Sequence, residues 1–142
     1  MQNNLSPHDK ESILVVDDDA DMCWSLERLL RSNSFDVTTA DCGRAALEHL
    51  KATPFDLIIL DARLPDIDGL DLAQQILQKT GVAYPIVLIS GYLYPNDRVV
   101  QEGLQSGLIT DFVSKPFFHD AFLEIVCNKL HPISCLEGIP EA

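Results

Sequence analysis

Side chains that can bind cations or anions stand directly after four short apolar runs of this 142-residue sequence. Three consecutive aspartates, 17–19, follow the first of these runs, and Asp61 follows the third. Ser90 and Lys115 stand at the ends of two later runs. Carboxylates, a hydroxyl and an amine, if brought together, form a site for a hard cation and for phosphate oxygens.

The charges of these groups indicate which ligand such a site needs. Two carboxylates about 4 Å apart repel by roughly 4 kcal/mol at an effective dielectric of 20, so a cluster of Asp17, Asp18 and Asp61 calls for a cation. All-oxygen ligation suits Mg²⁺ better than a softer metal. Taken singly, one of the aspartates can cap the following helix, and Ser90 and Lys115 can be ordinary surface residues. Their joint position at strand ends favours one shared site.

Five apolar runs alternate with five amphipathic segments, which predicts a parallel sheet with helices on both sides. Continuous apolar stretches at 13–16, 57–60 and 86–89 indicate strands that are covered on both faces. Ligands of open α/β sheets bind at the carboxyl ends of the strands, where strand order reverses. The predicted strands are 13–16, 35–40, 57–60, 86–89 and 109–113, and the predicted helices are 20–32, 44–51, 69–79, 97–105 and 117–130.

Composition limits the classes of partner. A hydrophobic content of 46% predicts a folded chain despite a net charge of −12. This charge disfavours direct binding to nucleic acid or to an anionic membrane. Without a hydrophobic leader or an apolar run long enough to cross a bilayer, we expect a cytoplasmic protein with reduced cysteines. We expect one domain at 12–130, a flexible tail at 1–11, and a tail or the start of a linker at 131–142.

Several motifs in order resemble the receiver domain of two-component response regulators. The resemblance covers about residues 12–130 and implies a flavodoxin-like, doubly wound (βα)5 fold with strand order 2-1-3-4-5. It is specific as a combination, although no single motif is. The motifs are ILVVDD (13–18), LIILD (57–61), LP (64–65), DG (68–69), SG (90–91) and SKPF (114–117).

The resemblance implies an acceptor and a metal site. Asp61 would accept a phosphoryl group from the phosphohistidine of a sensor histidine kinase or a histidine phosphotransfer domain. Asp18, Asp61 and the backbone carbonyl of Arg63 would bind Mg²⁺, with Asp17 acting through water or as a weaker ligand. The Arg63 side chain would stand at the rim, either as a solvated charge or in contact with the phosphoryl group or the water that hydrolyses it.

It also implies phosphate-binding, switch and structural residues. Lys115 would pair with the phosphoryl group and Ser90 would donate a hydrogen bond to it. Phe112 stands where the family often has a switch aromatic, although it could equally be an ordinary strand residue. Pro116, after a bond that we expect to be cis, and Gly69 would be structural.

Partner surfaces are implied on three elements. The switch would alter an interaction surface on the fourth helix, fifth strand and fifth helix, and so affect a downstream output domain or partner protein, with a homodimer possible. The helical wheel places Trp24 on the exposed face of the first helix, where the resemblance implies contact with the kinase. In the fifth helix we expect Phe118, Phe122, Ile125 and Val126 in the core. A second stripe, covered by the tail or used as an output or dimer surface, comprises Leu123, Cys127 and Leu130.

The fourth helix is expected to be short or poorly ordered. Gly103 in its interior costs about 1 kcal/mol relative to Ala. We interpret this weakness as part of the switch, because segments of low stability are readily moved by a ligand.

Two other functions remain open. A Mg²⁺-dependent phosphatase with an aspartate nucleophile would carry a second acid two positions after Asp61, where this chain has Arg63. A pseudo-receiver scaffold would lack an acceptor, metal or lysine position, and none is missing here. The interpretation that we prefer is a signalling switch that catalyses only its own phosphorylation and dephosphorylation.

Overall fold

A computed structural model describes residues 10–130, which form a five-stranded parallel sheet with the order β2-β1-β3-β4-β5. This confirms the predicted fold. The strands are β1 (Ser12–Val16), β2 (Asp36–Ala40), β3 (Leu57–Asp61), β4 (Ile86–Ser90) and β5 (Asp111–Ser114). The helices are α1 (Ala20–Arg31), α2 (Gly43–Ala52), α3 (Gly69–Thr80), α4 (Arg98–Ser106) and α5 (His119–Leu130). None of these helices is long and apolar enough to cross a membrane.

Helices cover both faces of the sheet, which explains the continuous apolar runs of its central strands. Alternate side chains of a strand point to opposite faces. Leu14 and Val16 of β1 therefore belong to the core beneath α2 and α3, whereas Ile13 and Val15 belong to the core beneath α1 and α5. All four are fully buried. Because neither face of β1 meets solvent, the strand has no polar alternation.

The predicted boundaries of two strands and the last helix shift. Phe35 and Ile109 are buried just ahead of β2 and β5, so both strands start later than predicted. The expectation that Phe118 lies in the core is wrong: it is 85% exposed, because α5 begins only at His119. Phe117 takes the inward position and stacks on Phe122 with ring centroids 4.6 Å apart. The predicted tails lie outside the described residues, apart from residues 10 and 11.

Apart from Phe118, the side chains of α1 and α5 lie on the sides of these helices that were predicted for them. Leu26 and Leu30 of α1 are buried, while Trp24 is 60% exposed on the opposite side, as the helical wheel predicts. The second stripe of α5 is partly buried against the core beneath α1 and α5. Its members are Leu123, Cys127 and Leu130. Their role in output or dimer contact remains a prediction.

Two glycines stand where neighbouring atoms crowd the position of a side chain, backbone atoms at Gly69 and side-chain atoms at Gly103. A Cβ at Gly69 would overlap the carbonyl oxygen of Asp61 and lie 2.9 Å from the Cα of Ala62. A Cβ at Gly103 would lie 3.2 Å from Leu70 and 3.3 Å from Ile109. Gly103 therefore lets α4 pack closely against its neighbours, which the interpretation of this glycine as a source of weakness alone did not foresee. Gly69 lets α3 start directly behind the end of β3.

A long-range cap stabilises the start of α2. Its N-cap residue, Cys42, makes no side-chain cap hydrogen bond. Instead Asp66, in the loop between β3 and α3, accepts hydrogen bonds from the backbone N–H groups of Gly43 (2.9 Å) and Arg44 (3.1 Å). These bonds, the first of them most strongly, hold the pKa of Asp66 below its ordinary value of 3.8. The loop after β3 is thereby attached to α2.

Replacing this cap is expected to weaken the fold in a pH-dependent way. Asp66→Ala should lower the free energy of unfolding at neutral pH by about 1 kcal/mol, because two amides lose their acceptor. The pKa of Asp66 is lower in the folded chain than in the unfolded chain. The charged cap therefore stabilises the fold fully at pH values above the unfolded pKa, and this stabilisation is lost as pH falls through the folded pKa. Urea denaturation at pH 7 and pH 3 measures the loss in the free energy of unfolding and its dependence on pH. Asp68→Ala is the control, since Asp68 makes no side-chain cap bond to α3; an equal loss in both variants would contradict the prediction.

Candidate functional site

The carboxyl ends of four strands meet at one edge of the sheet. Asp61 is the last residue of β3, and Ala62 continues the pairing by donating its N–H to the carbonyl of Ile89 (2.8 Å). Lys115, one residue beyond β5, donates its N–H to the carbonyl of Ser90 (2.7 Å). This pairing past the strand ends fixes the backbone from which the polar side chains extend.

Asp17, Asp18, Asp61 and Lys115 form a charged cluster at this edge. The Nζ atom of Lys115 lies 3.0 Å from Oδ2 of Asp17 and 3.6 Å from Oδ1 of Asp61. One carboxylate oxygen from each of the three aspartates lies within 4.8 Å of the other two. Asp17 is fully buried, whereas Asp18 is exposed. Three acids thus face one amine.

This environment changes the acidity of two members. Burial raises the pKa of Asp61 to about 6, and the negative charge of Asp17 adds to the rise, while Lys115 opposes it. Burial alone would lower the pKa of Lys115, but its hydrogen bond to Asp17 and the charges of both carboxylates outweigh burial and raise it. The lysine therefore stays charged, and the acids still lack full compensation.

The donor set fits a hard divalent cation. Three carboxylates facing one side can supply oxygen ligands and leave positions for water. The loop after β3 offers a backbone oxygen as well: its two cross-loop hydrogen bonds, from Leu64 N–H to Ile67 and from Gly69 N–H to Ala62, do not use the carbonyl of Arg63. Asp19, the third acid of the run, instead caps α1 through the N–H groups of Asp21 and Met22.

Ser90 is held by its own loop. Its buried hydroxyl oxygen accepts hydrogen bonds from the N–H groups of Tyr92 (3.1 Å) and Leu93 (2.9 Å). Because both bonds use the oxygen as acceptor, the hydroxyl proton can be donated to an anion. Ser90 pairs with Ser114 in the sheet register.

The remaining predicted residues of the switch lie on β5 and just after it. Phe112 is partly buried and packs against the core beneath α2 and α3. The Lys115–Pro116 peptide bond is cis, as expected.

An open cavity of about 360 Å³ lies above the cluster. At its rim the guanidinium group of Arg63 stands 3.9 Å from the centroid of the Tyr92 ring. Sequence reasoning placed Arg63 at the rim but missed Tyr92, although its position two residues after Ser90 was a usable signal. The cavity is lined by Asp17, Asp18, Asp19, Asp61, Arg63, Leu64, Pro65, Gly91, Tyr92 and Lys115.

Cys23 lies behind the cluster and was also missed. Its Sγ donates a hydrogen bond to the backbone carbonyl of Asp17 at 3.1 Å. Burial, with the charge of Asp17, raises the pKa of this thiol to about 11, so it remains protonated and supports the turn after β1. Nothing in its spacing from the other cysteines indicated this contact.

Trp24 lies outside the cavity. The guanidinium group of Arg28 stands 4.8 Å from its ring centroid. Together with His119 of α5, these two residues border a separate surface depression between α1 and α5.

Comparison with a family model and with known sequences identifies the family of this chain. A family model described as the response regulator receiver domain matches residues 13–127. The transcriptional regulatory protein ZraR of Escherichia coli is 35% identical over 129 residues, which are 89% of this chain and 28% of ZraR. The cell cycle response regulator CtrA of Brucella ovis is 34% identical over 111 residues, 78% of this chain and 46% of CtrA. The chain therefore spans less than half the length of either relative.

Solved structures of response regulators have the same fold as this chain. A two-component response regulator from Clostridium difficile superposes with a TM-score of 0.79 at 26% identity, covering 87% of this chain and 98% of that one. The response regulator TrrA of Thermotoga maritima, solved in complex with Mg²⁺ and BeF, gives 0.72 at 31% identity, covering 84% of this chain and 99% of that one.

Proposed function

Because this chain belongs to the response regulator receiver domain family, we propose that Asp61 is its phosphoacceptor. The observation that carries the proposal is the meeting of Asp17, Asp18, Asp61 and Lys115 at the carboxyl edge of the sheet. A carboxylate nucleophile beside other acids and one fixed amine suits phosphoryl transfer, in which positioning and cationic stabilisation do most of the work.

The transfer uses this chain's residues in distinct roles. An oxygen of Asp61 forms a bond to phosphorus while the bond from phosphorus to the histidine nitrogen breaks, and the imidazole leaves with the electron pair. Lys115 compensates charge on the phosphoryl oxygens, and the Ser90 hydroxyl donates its proton to one of them as a hydrogen bond. The result is an aspartyl phosphate, which water later hydrolyses.

A magnesium ion is the proposed cofactor. Asp18, Asp61 and the Arg63 carbonyl would hold it, with Asp17 acting through water or as a weaker ligand. When bound, it would neutralise carboxylates and phosphoryl oxygens that Lys115 alone leaves uncompensated. The excess of acids over amines in the cluster and the raised pKa of Asp61 support this assignment.

The proposed role is signalling in the cytoplasm by a receiver domain at 12–130, which catalyses only its own phosphorylation and dephosphorylation. Its donor would be a sensor histidine kinase or a histidine phosphotransfer domain that contacts Trp24. Phosphorylation would shift the packing of Phe112 and the α4–β5–α5 surface toward an output domain or partner, or toward a homodimer.

Labelling with a small acyl phosphate in Mg²⁺ tests the proposal. We expect stoichiometric, hydroxylamine-sensitive phosphate that peptide mapping assigns to Asp61. Label on a serine or histidine instead would contradict it.

The stacked Arg63 and Tyr92 are expected to slow hydrolysis of the phosphate. In this proposal the Arg63 guanidinium group hinders the water that would hydrolyse the phosphate, and the contact that holds it in place is worth about 0.5–1 kcal/mol. Arg63→Ala should therefore dephosphorylate about two- to fivefold faster. Decay of the labelled protein after donor removal measures the rate. Arg98→Ala, which removes an exposed arginine from α4, should leave the rate unchanged. An unchanged rate in Arg63→Ala would contradict the prediction and show that the Arg63 side chain is only a solvated charge at the rim.

A further inference from the structure

Among residues 10–130, the cations that form no ion pair and stand over no aromatic ring are concentrated in one groove. All ten lysines and arginines fall within the described residues. Four of them form ion pairs and two stand over aromatic rings. The other four are Lys10, Arg44, Lys51 and Lys79, and within residues 10–130 no acid lies in ion-pair contact with them. Three of the four, all but Lys10, line the groove between α2 and α3.

The groove has an apolar floor and charged ends. Leu47 and Ile67 are partly buried along it, and Leu72 is buried beneath them. Arg44 stands at the start of α2, seven residues or about 10 Å from Lys51 at its end. Lys79 stands at the end of α3. The volume of the groove is about 300 Å³.

Two acids line the groove, and neither is in ion-pair contact with its cations, although the charge of Arg44 helps to lower the pKa of Asp66. Asp66 uses both carboxylate oxygens on the amides of Gly43 and Arg44, so its charge is already engaged by the start of α2. Glu48 is the other acid that lines the groove. In a chain with net charge −12, three cations and two acids beside a partly buried apolar floor make a local excess of positive charge that favours an anionic ligand.

We propose that the α2–α3 groove binds an acidic amphipathic helix of a partner protein. Such a helix would place apolar side chains on Leu47 and Ile67 and carboxylates about two turns apart, toward Arg44 at one end and toward Lys51 and Lys79 at the other. Nucleic acid and anionic membranes do not fit as occupants, because the surrounding negative charge repels an extended polyanion. The surface is separate from the acceptor site and does not depend on the proposed function.

A synthetic peptide tests the groove directly. The probe is a helix of about four turns with glutamates at both ends of a leucine stripe, titrated into the full chain while amide chemical shifts are followed by NMR. We expect saturable shifts confined to α2, α3 and Ile67, with an affinity that falls as salt is raised. The same peptide with lysine in place of glutamate, or serine in place of leucine, should not bind.

Charge reversal identifies the contacts. Lys79 and Lys51 are exposed positions on different helices. Lys79→Glu and Lys51→Glu should each weaken binding of the peptide about tenfold, equivalent to about 1.4 kcal/mol. Lys10→Glu makes the same change in net charge outside the groove and should leave the affinity within about twofold.

Four outcomes of these titrations would overturn the proposal. They are the absence of shifts up to millimolar peptide, shifts elsewhere on the molecule, equal weakening by Lys10→Glu, and groove shifts with inorganic pyrophosphate but not with the peptide. Shifts of the groove amides on raising the protein concentration alone would identify a second copy of this chain as the occupant, which would also overturn it. Phosphorylation of Asp61 is measured separately in each variant, so a failure of the acceptor assignment would be recognised independently.

Discussion

Asp61→Asn is expected to abolish phosphorylation while leaving the fold intact. Asparagine keeps the shape of the side chain but lacks the carboxylate nucleophile that would attack phosphorus. The change also removes a charge that burial and Asp17 destabilise, as the raised pKa of Asp61 shows. The variant should therefore be at least as stable as the parent chain, so that loss of label cannot be explained by unfolding.

The measurement is incorporation of one phosphoryl group by intact-mass analysis, with an acyl phosphate and with a phosphohistidine donor. Asp71→Asn, which neutralises an exposed acid on α3, is the matched control and should label normally. If Asp61→Asn took up label as readily as the control, the acceptor would lie elsewhere and the proposed mechanism would be wrong.

The same assay separates the competing functions. A phosphatase would turn over a small phosphoester many times without accumulating stable phosphate on the protein. A pseudo-receiver would neither accumulate phosphate nor release it. Slow, single incorporation at Asp61 distinguishes the proposed switch from both.

Asp18→Asn is expected to have two effects of opposite sign. Without metal, removing one carboxylate from the cluster relieves repulsion and should raise the free energy of unfolding by about 1 kcal/mol, the scale for a close pair that faces water. With Mg²⁺, loss of a proposed ligand should weaken binding by about a hundredfold, since even residues that only support metal ligands account for ten- to hundredfold effects. Stability given up for a binding site is a common trade in proteins.

Thermal unfolding with and without Mg²⁺ measures both effects. A ligand that binds only the folded state stabilises it according to its concentration relative to its dissociation constant. The melting temperature of the parent chain should rise with Mg²⁺, and that of Asp18→Asn should start higher and respond little. Asp21→Asn, an acid in the first turn of α1 outside the cluster, should keep the full response to Mg²⁺ and be slightly less stable. An undiminished response in Asp18→Asn would remove Asp18 from the metal site.

The strands and the location of the cluster could be predicted because both depend on local sequence. A strand buried on both faces must be apolar at consecutive positions, so the runs that became β1, β3 and β4 were recognisable without a partner. In a parallel sheet all carboxyl ends lie on one edge, so an acid after one strand must lie near an acid after its neighbour. This reasoning places Asp17 near Asp61.

Contacts between distant segments could not be predicted in this way. Asp66 caps a helix that begins 23 residues earlier in the chain, and an exposed aspartate in a loop carries no sign of that partner. Phe117 and Phe118 are identical in type, and the start of α5 at His119 decides which of them turns inward. Gly103 looked like a weakness because its close neighbours, Leu70 and Ile109, lie on other elements.

By itself, the sequence determined the sheet, its two covered faces and the edge at which acids, a hydroxyl and a lysine collect, because hydrophobic periodicity and the direction of parallel strands are properties of short segments. Only the tertiary structure decided which carboxylates are buried, that Lys115 approaches Asp17 more closely than Asp61, and that Tyr92 lies against Arg63. It also decided that one groove is lined by three cations that form no ion pair with any acid of residues 10–130. These features depend on distances between side chains from separate elements, and such distances are set when the helices pack on the sheet.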